Sequence, residues 1–302
     1  MSFRLFAARC AGVVSSLLVF TATVSAQLVV GTTTTAGPNA YYINVDALTA
    51  TPLWQATTSG NKINGITVDP QNGLMYNADA ARLSVRGYNA PLGTRPTFIA
   101  GMYRWDGNTT FSATGADDLA FAGGNVYCWT DFPSSTFTRG IYRVPTTPVN
   151  SRLVLEPLWL DTSSTYSFKG LAYNPGDGLF YGTNIADTTG TGGTLTPGLF
   201  SIDAFGTGAV TRIADFPAGR TEIDGIAIGG GSFWLTEKDR NSTNIYVYPF
   251  DPVSHTYDTT LALDIGDTKA LSSGATWAPG APEPACLGLL WLTASTLVRR
   301  RR

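Results

Sequence analysis

Ile63-Asn64-Gly65-Ile66-Thr67-Val68-Asp69-Pro70, followed by Gly73-Leu74-Met75-Tyr76, is the stretch that decides the fold. It returns as Asp117-Asp118-Leu119-Ala120-Phe121 with Gly124-Asn125-Val126-Tyr127, and as Phe168-Lys169-Gly170-Leu171-Ala172-Tyr173-Asn174-Pro175 with Gly178-Leu179-Phe180-Tyr181. A fourth copy is Ile223-Asp224-Gly225-Ile226-Ala227-Ile228 with Gly231-Ser232-Phe233-Trp234, and a fifth, weaker one is Ser272-Ser273-Gly274-Ala275-Thr276-Trp277. The reference positions Gly65, Asp118, Gly170, Gly225 and Gly274 are 53, 52, 55 and 49 residues apart. In the first four copies the phrase reads as an apolar strand, a tight turn and a second strand carrying an aromatic. The turns Gln71-Asn72-Gly73 and Gly176-Asp177-Gly178 suit a hairpin because Asn-Gly and Asp-Gly accept positive φ.

A second phrase alternates with the first: Tyr42-Ile43-Asn44-Val45-Asp46, Tyr103-Arg104-Trp105-Asp106, Tyr142-Arg143-Val144-Pro145, Phe200-Ser201-Ile202-Asp203 and Tyr246-Val247-Tyr248-Pro249. Its period of two predicts a half-buried third strand. A fourth strand follows in stretches such as Pro52–Trp54, Leu153–Trp159 and Val210–Ile213. Four short strands per unit, five times over, predict an all-β chain folded as one β-propeller of five blades spanning 27–278. The alternatives are a β-sandwich pair or an open solenoid, and the interleaved order of the two phrases favours the propeller over both. Six or seven blades would need units hidden in 80–100 or 185–197. The phrasing resembles NHL-type and YVTN-type propeller repeats, a likeness that implies a strand of the first phrase lining a central channel.

The fifth copy lacks its partner strand. Leu28-Val29-Val30-Gly31-Thr32 has the required form, so the first strand is expected to pair into the last blade and remove an exposed sheet edge.

The two ends read as targeting segments. Arg4 and Arg9, the apolar stretch 11–22 and the small-residue site Val24-Ser25-Ala26 make 1–26 a secretory signal peptide, with Gln27 the first mature residue. At the other end, 279–284 is a Pro/Gly hinge, and 285–302 is a membrane-sorting segment with an arginine stop. Its apolar run, Cys286–Val298, would make a helix of about 20 Å, short for a hydrocarbon core of about 30 Å. Pro282-Glu283-Pro284, the run beginning Cys286-Leu287-Gly288-Leu289-Leu290, and Arg299, Arg300, Arg301 and Arg302 resemble a PEP-CTERM sorting signal. That resemblance implies export, at least transient membrane anchoring, an exosortase-type sorting peptidase as partner, and a cell-surface or exopolysaccharide-linked destination.

Composition narrows the task. Six of the 20 Lys+Arg and one of the 22 Asp+Glu lie in the end segments, leaving a body of about −7. An acidic body argues against nucleic acid as a partner. Cys128 is the only cysteine of the body, so no internal disulfide is possible, and a buried inert thiol is expected. His255 is the only histidine, which excludes a His-cluster metal site and leaves no nucleophile elbow for a hydrolytic triad. Thr188–Thr194 lacks the lysine of a phosphate loop, and no calcium loop occurs, so no metal and no cofactor is expected.

A propeller's site usually lies at a channel mouth. The residue before each reference position gives Asn64, Asp117, Lys169, Asp224 and Ser273, all polar, as a candidate mouth. Two functions fit it. One is a non-catalytic binding or scaffold protein for polysaccharide or another surface protein. The other is a secreted carbohydrate-active hydrolase with paired carboxylates drawn from Asp117, Asp118 and Asp224. Glu222 and Glu237 are further acids near the fourth copy.

Overall fold

The structure, a computed structural model, describes residues 27–32, 38–55, 63–79, 81–105, 111–113, 116–130, 138–163, 165–185, 197–238, 242–266 and 272–278. The signal segment 1–26, the hinge and the sorting tail lie outside them. Among the described residues every regular element is a strand.

The chain begins with β1 (Gln27–Thr32), β2 (Pro38–Asn44) and β3 (Thr49–Gln55). Next come β4 (Gly65–Asp69), β5 (Leu74–Asp79), β6 (Arg82–Gly87) and β7 (Thr97–Trp105), with a short β8 (Phe111–Ala113) folded onto β7. The following sheet uses β9 (Asp118–Ala122), β10 (Asn125–Thr130) and β11 (Arg139–Val144). After it β12 (Arg152–Val154) turns back to β7, and β13 (Glu156–Asp161) completes that sheet. Then β14 (Phe168–Asn174), β15 (Leu179–Asn184), β16 (Gly198–Ile202) and β17 (Val210–Asp215) form one meander. The next sheet is β18 (Gly225–Gly229), β19 (Ser232–Lys238) and β20 (Asn244–Asp251), edged by β21 (Thr256–Tyr257) and β22 (Leu261–Asp264). Last comes β23 (Ser272–Ala278).

These are five blades of a β-propeller, each an antiparallel meander running outward from its innermost strand. The fifth is built from both ends of the chain in the order β23-β1-β2-β3. Leu28 pairs with Trp277, Val29 with Thr276 and Val30 with Ala275, so the N-terminal strand fills the vacancy that the sequence left for it. Apolar residues alternate along the inner strands and face both neighbouring blades. Five separate clusters of buried side chains result, one in each gap between blades. Val29 points into the gap with the first blade and Val30 into the gap with the fourth. Cys128 is buried in the cluster between the first two blades, in line with an inert thiol.

Two strand assignments need correction. Tyr103-Arg104-Trp105 ends the fourth strand of its blade, β7. The third strand is Arg82–Gly87, from the stretch read as a long connection. Leu153–Trp159 is two strands: Arg152–Val154 pairs in parallel with β7 of the previous blade, and Glu156–Asp161 closes its own. Leu153 and Leu155 are both buried in the gap between the two blades, which holds the chain against β7 and covers its open edge.

Inner hairpins are as tight as their glycines allow. The β9–β10 and β18–β19 turns have two residues each. Gly123 and Gly124 have φ of 54° and 81°, and Gly230 and Gly231 have φ of 63° and 84°, the backbone of a type I′ turn. In the longer turns, Asp69 accepts hydrogen bonds from the N–H groups of Gln71 and Asn72, and the Asn174 Oδ1 accepts one from Gly176 N–H. The acids and amides before Pro70 and Pro175 therefore act as turn formers.

Candidate functional site

The five inner strands stand so close at the axis that most reference positions leave no room for a side chain. A Cβ on Gly65 would lie 2.7 Å from the Asp118 backbone, one on Gly170 2.9 Å from Ile226 N, and one on Gly225 3.0 Å from the Gly274 carbonyl carbon. A Cβ on Gly274 would lie 3.0 Å from the Gly65 Cα, which closes the ring. Asp118 is the single non-glycine in this column, and its carboxylate occupies the space the glycines leave. Its Oδ1 accepts hydrogen bonds from Leu119 N–H at 2.7 Å and Ile66 N–H at 3.3 Å, and its Oδ2 from Leu171 N–H at 2.9 Å. One side chain thus satisfies donors on the inward edges of three blades.

Asp118 is 0 % exposed. Burial pushes its carboxyl well above the usual carboxylate range, the three N–H bonds pull against that rise, and the adjacent Asp117 carboxylate adds to it. A group enclosed in this way cannot meet a substrate. Asp118 therefore leaves the set of catalytic candidates and becomes an axial pin between blades.

The other predicted mouth residues lie just beyond this ring on one side. The N–H groups of Asn64, Asp117 and Asp224 donate to Ala78 O, Trp129 O and Thr236 O at 2.9, 3.0 and 3.2 Å, the same pairing in three blades. Asp117 and Lys169, from adjacent blades, meet at 3.3 Å between Oδ1 and Nζ. Ser273 sits at the matching place in β23. Glu237 bonds Arg220 at 3.2 Å and accepts from the Tyr248 hydroxyl at 2.7 Å, so both its oxygens are engaged in packing the fourth blade. Burial and that bond to Glu237 raise the Tyr248 pKa. Glu222 is exposed in the loop before β18.

A concave site opens at the opposite mouth. A cavity of about 520 Å³ lies between the Asp118 layer and the hairpins that end the inner strands. Its wall is Thr67, Ala120, Ala172, Ala227 and Thr276, one from each blade, and its rim includes Gln71, Phe121, Tyr173 and Trp277. Among the described residues lining it there is no carboxylate, amine, guanidinium or imidazole. Trp277 lies parallel to Trp234 with ring centroids 5.4 Å apart, and the Trp234 indole N–H donates to Gly229 O at 2.9 Å. Tyr173 packs edge-on to Phe205 and tilted against Phe180. The rim is therefore aromatic and held in place by packing.

Sequence reasoning missed this mouth because the residues that make it, Gln71 and Pro175 among them, read only as turn formers. The available signal was the aromatic or amide that four of the five inner strands or their turns carry, namely Gln71, Phe121, Tyr173 and Trp277. Gly229 also matters here, since a Cβ on it would lie 2.1 Å from the Trp277 ring. Gly229→Ala is expected to push Trp277 off Trp234 at a cost of roughly 1–3 kcal/mol. Denaturant unfolding, with a change in the native tryptophan emission, would check it.

No protein-family model matches the chain, and no curated protein is significantly similar to it. Solved structures are similar in fold. A chain of a nidogen–laminin complex matches at TM-score 0.51 and 13% identity, covering 84% of this chain and 99% of that one. A 6-phosphogluconolactonase-like protein of Bacteroides fragilis matches at TM-score 0.46 and 10% identity over 85% of this chain and 99% of its own. The periplasmic gluconolactonase of Pseudomonas aeruginosa gives 0.43 and 12% over 84% and 99%. At such identities the likeness is one of architecture, and what this chain shares with the first of these structures is the β-propeller fold.

Proposed function

We propose that this chain is an exported, cell-surface-targeted propeller that binds or scaffolds without catalysis, and that its ligand occupies the cavity at the hairpin mouth. The observation that carries this reading is the chemistry of the lining. Hydroxyls, an amide, backbone groups and aromatic edges can hold a neutral polar ligand such as a saccharide end. None of the lining groups described can act as an acid–base pair near neutral pH. Asp118 is enclosed in the axial layer, and Asp117, against a lysine, and Asp224 lie on its far side. The signal segment 1–26 exports the chain. The tail from Pro282 to Arg302 anchors it until an exosortase-type peptidase acts, which brings the body to exopolysaccharide or another surface protein.

A neutral glycan array with the intact protein tests the ligand. Binding to uncharged saccharides is expected, and a Gln71→Ala, Tyr173→Ala variant should weaken it about tenfold or more while keeping its fold. Hydrolysis of a bound glycan that is lost in Asp117→Ala or Asp224→Ala would overturn the binding reading in favour of a carbohydrate-active hydrolase.

A further inference from the structure

Among the described residues, five of the seven exposed large apolar side chains follow the blade repeat; the other two, Phe98 and Leu160, stand on the outer strands β7 and β13. Leu48, Leu92, Val149, Phe205 and Val253 are 55, 46, 68, 50 and 90 % exposed. Each lies in the connection between the third and fourth strand of its blade: β2–β3, β6–β7, β11–β13, β16–β17 and β20–β21. Every blade has one. In an antiparallel meander the third-to-fourth connection leaves the same end of the blade as the first-to-second hairpin, which is the end where the cavity opens. The five residues therefore surround the cavity mouth as an outer ring.

Single exposed apolar residues need no explanation, but one at the same topological position in every blade does. Leu48 and Val253 add little to the fold. Leu48 has a φ of 52°, the left-handed region that a leucine adopts at a cost, in a turn already formed by the Asn44 side chain accepting from Asp46 and Ala47 N–H. Val253 is almost wholly exposed in a turn closed by Asp251. Phe205 is fixed edge-on by Tyr127 and Tyr173, with half of its surface facing outward.

The chain itself points to what covers this ring. In the fifth blade the place of the first-to-second hairpin is taken by the two chain ends, because Gln27 pairs with Ala278. The segment that continues from Ala278 therefore leaves from the middle of the ring. Six residues, 279–284, separate it from the apolar run and four arginines of the sorting tail. Fully extended they reach about 20 Å.

We propose that the ring is a membrane-docking surface: the propeller rests hairpin-mouth down on the bilayer that receives its tail. This rests on the anchoring role of the tail given above. Five tips spread around one face suit a flat partner. Charge sets the kind of lipid. The same connections carry Asp46, Asp203 and Asp251 beside Arg95, Arg152 and His255. Hydrogen bonds from Thr207 N–H to Asp203 and from Val253 N–H to Asp251 keep those two carboxyls below their usual range, so they stay ionised. These connections thus carry no net positive charge, and docking through them is apolar, favours zwitterionic headgroups and resists salt.

The test uses the full chain with Cys10→Ser and Cys286→Ser, reconstituted in phosphatidylcholine–phosphatidylethanolamine vesicles. A polarity-sensitive dye is placed at Val253→Cys or, on the opposite face, at Glu222→Cys, and brominated lipids act as quencher. Quenching at position 253 about twofold or more above that at 222, unchanged in 1 M salt, is expected, with the dye lying at the depth of the interface. Adding Leu48→Asp and Val149→Asp should abolish the difference while flotation with the vesicles persists. A chain that floats with equal quenching at both positions overturns the docking face and leaves the anchor intact. A chain that does not float overturns the anchor, and the docking face with it.

Discussion

Asp118→Ala is expected to lower the stability of the propeller by about 3–5 kcal/mol in denaturant unfolding. Three backbone N–H groups on three inner strands donate to this one carboxylate, and the ring around it is sealed. Alanine would leave those donors buried without an acceptor, in a space too tight for rearrangement. Asp118→Asn keeps the shape and should recover part of the loss, because one amide oxygen still accepts while the amide nitrogen faces a donor. The pair also predicts a pH dependence. Burial raises the folded-state pKa of Asp118 above its unfolded value near 4, so the folded state binds the extra proton between the two. Stability therefore falls as pH rises through that window. Wild type should gain on the Asn variant as pH is lowered toward 4, and denaturation curves of the two proteins across pH 4–8 would show it. A constant difference would mean that the carboxyl does not titrate in that range.

A second large effect is expected at the seam where the ring closes. Val29 and Val30 are fully buried on opposite faces of β1, one against the first blade and the other against the fourth. Val29→Asp puts a charge into an apolar gap and at the same time weakens the β1–β23 pairing that closes the ring. A loss of about 4 kcal/mol or more is expected for the single variant. Val29→Asp with Val30→Asp should abolish the cooperative transition in calorimetry, since typical domains hold only about 5–15 kcal/mol. Truncation after Ala278 is the matching control. All five blades are complete between Gln27 and Ala278, so removing the tail should leave the transition where it was. A Val29→Asp protein that melts like wild type would mean that the ring does not depend on this seam.

Much of the architecture was legible because a propeller writes its fold locally. The inner strand and its hairpin are set by alternation and by turn residues that accept positive φ, and these recur at Gly65, Asp118, Gly170, Gly225 and Gly274 with little variation. The missing partner of the fifth copy was equally local, since Leu28–Thr32 had the form of the second strand elsewhere. Outer strands were harder. Tyr103-Arg104-Trp105 has the pattern of a third strand and is a fourth, because an outer strand's partner is chosen by what packs across the gap between blades. Arg152–Val154 joined the neighbouring blade for the same reason.

By itself, then, the sequence determined the repeat, the blade count and the closing strand, all carried by residues near one another in the chain or by matching strand forms. It also set out the column of four glycines and one aspartate without revealing what the column means. Only the tertiary structure decided that. Five inner strands meet at an axis too narrow for side chains, so the odd aspartate becomes a buried pin and the open cavity falls at the other mouth. The diameter of a closed ring depends on all five blades at once, and no single repeat contains it.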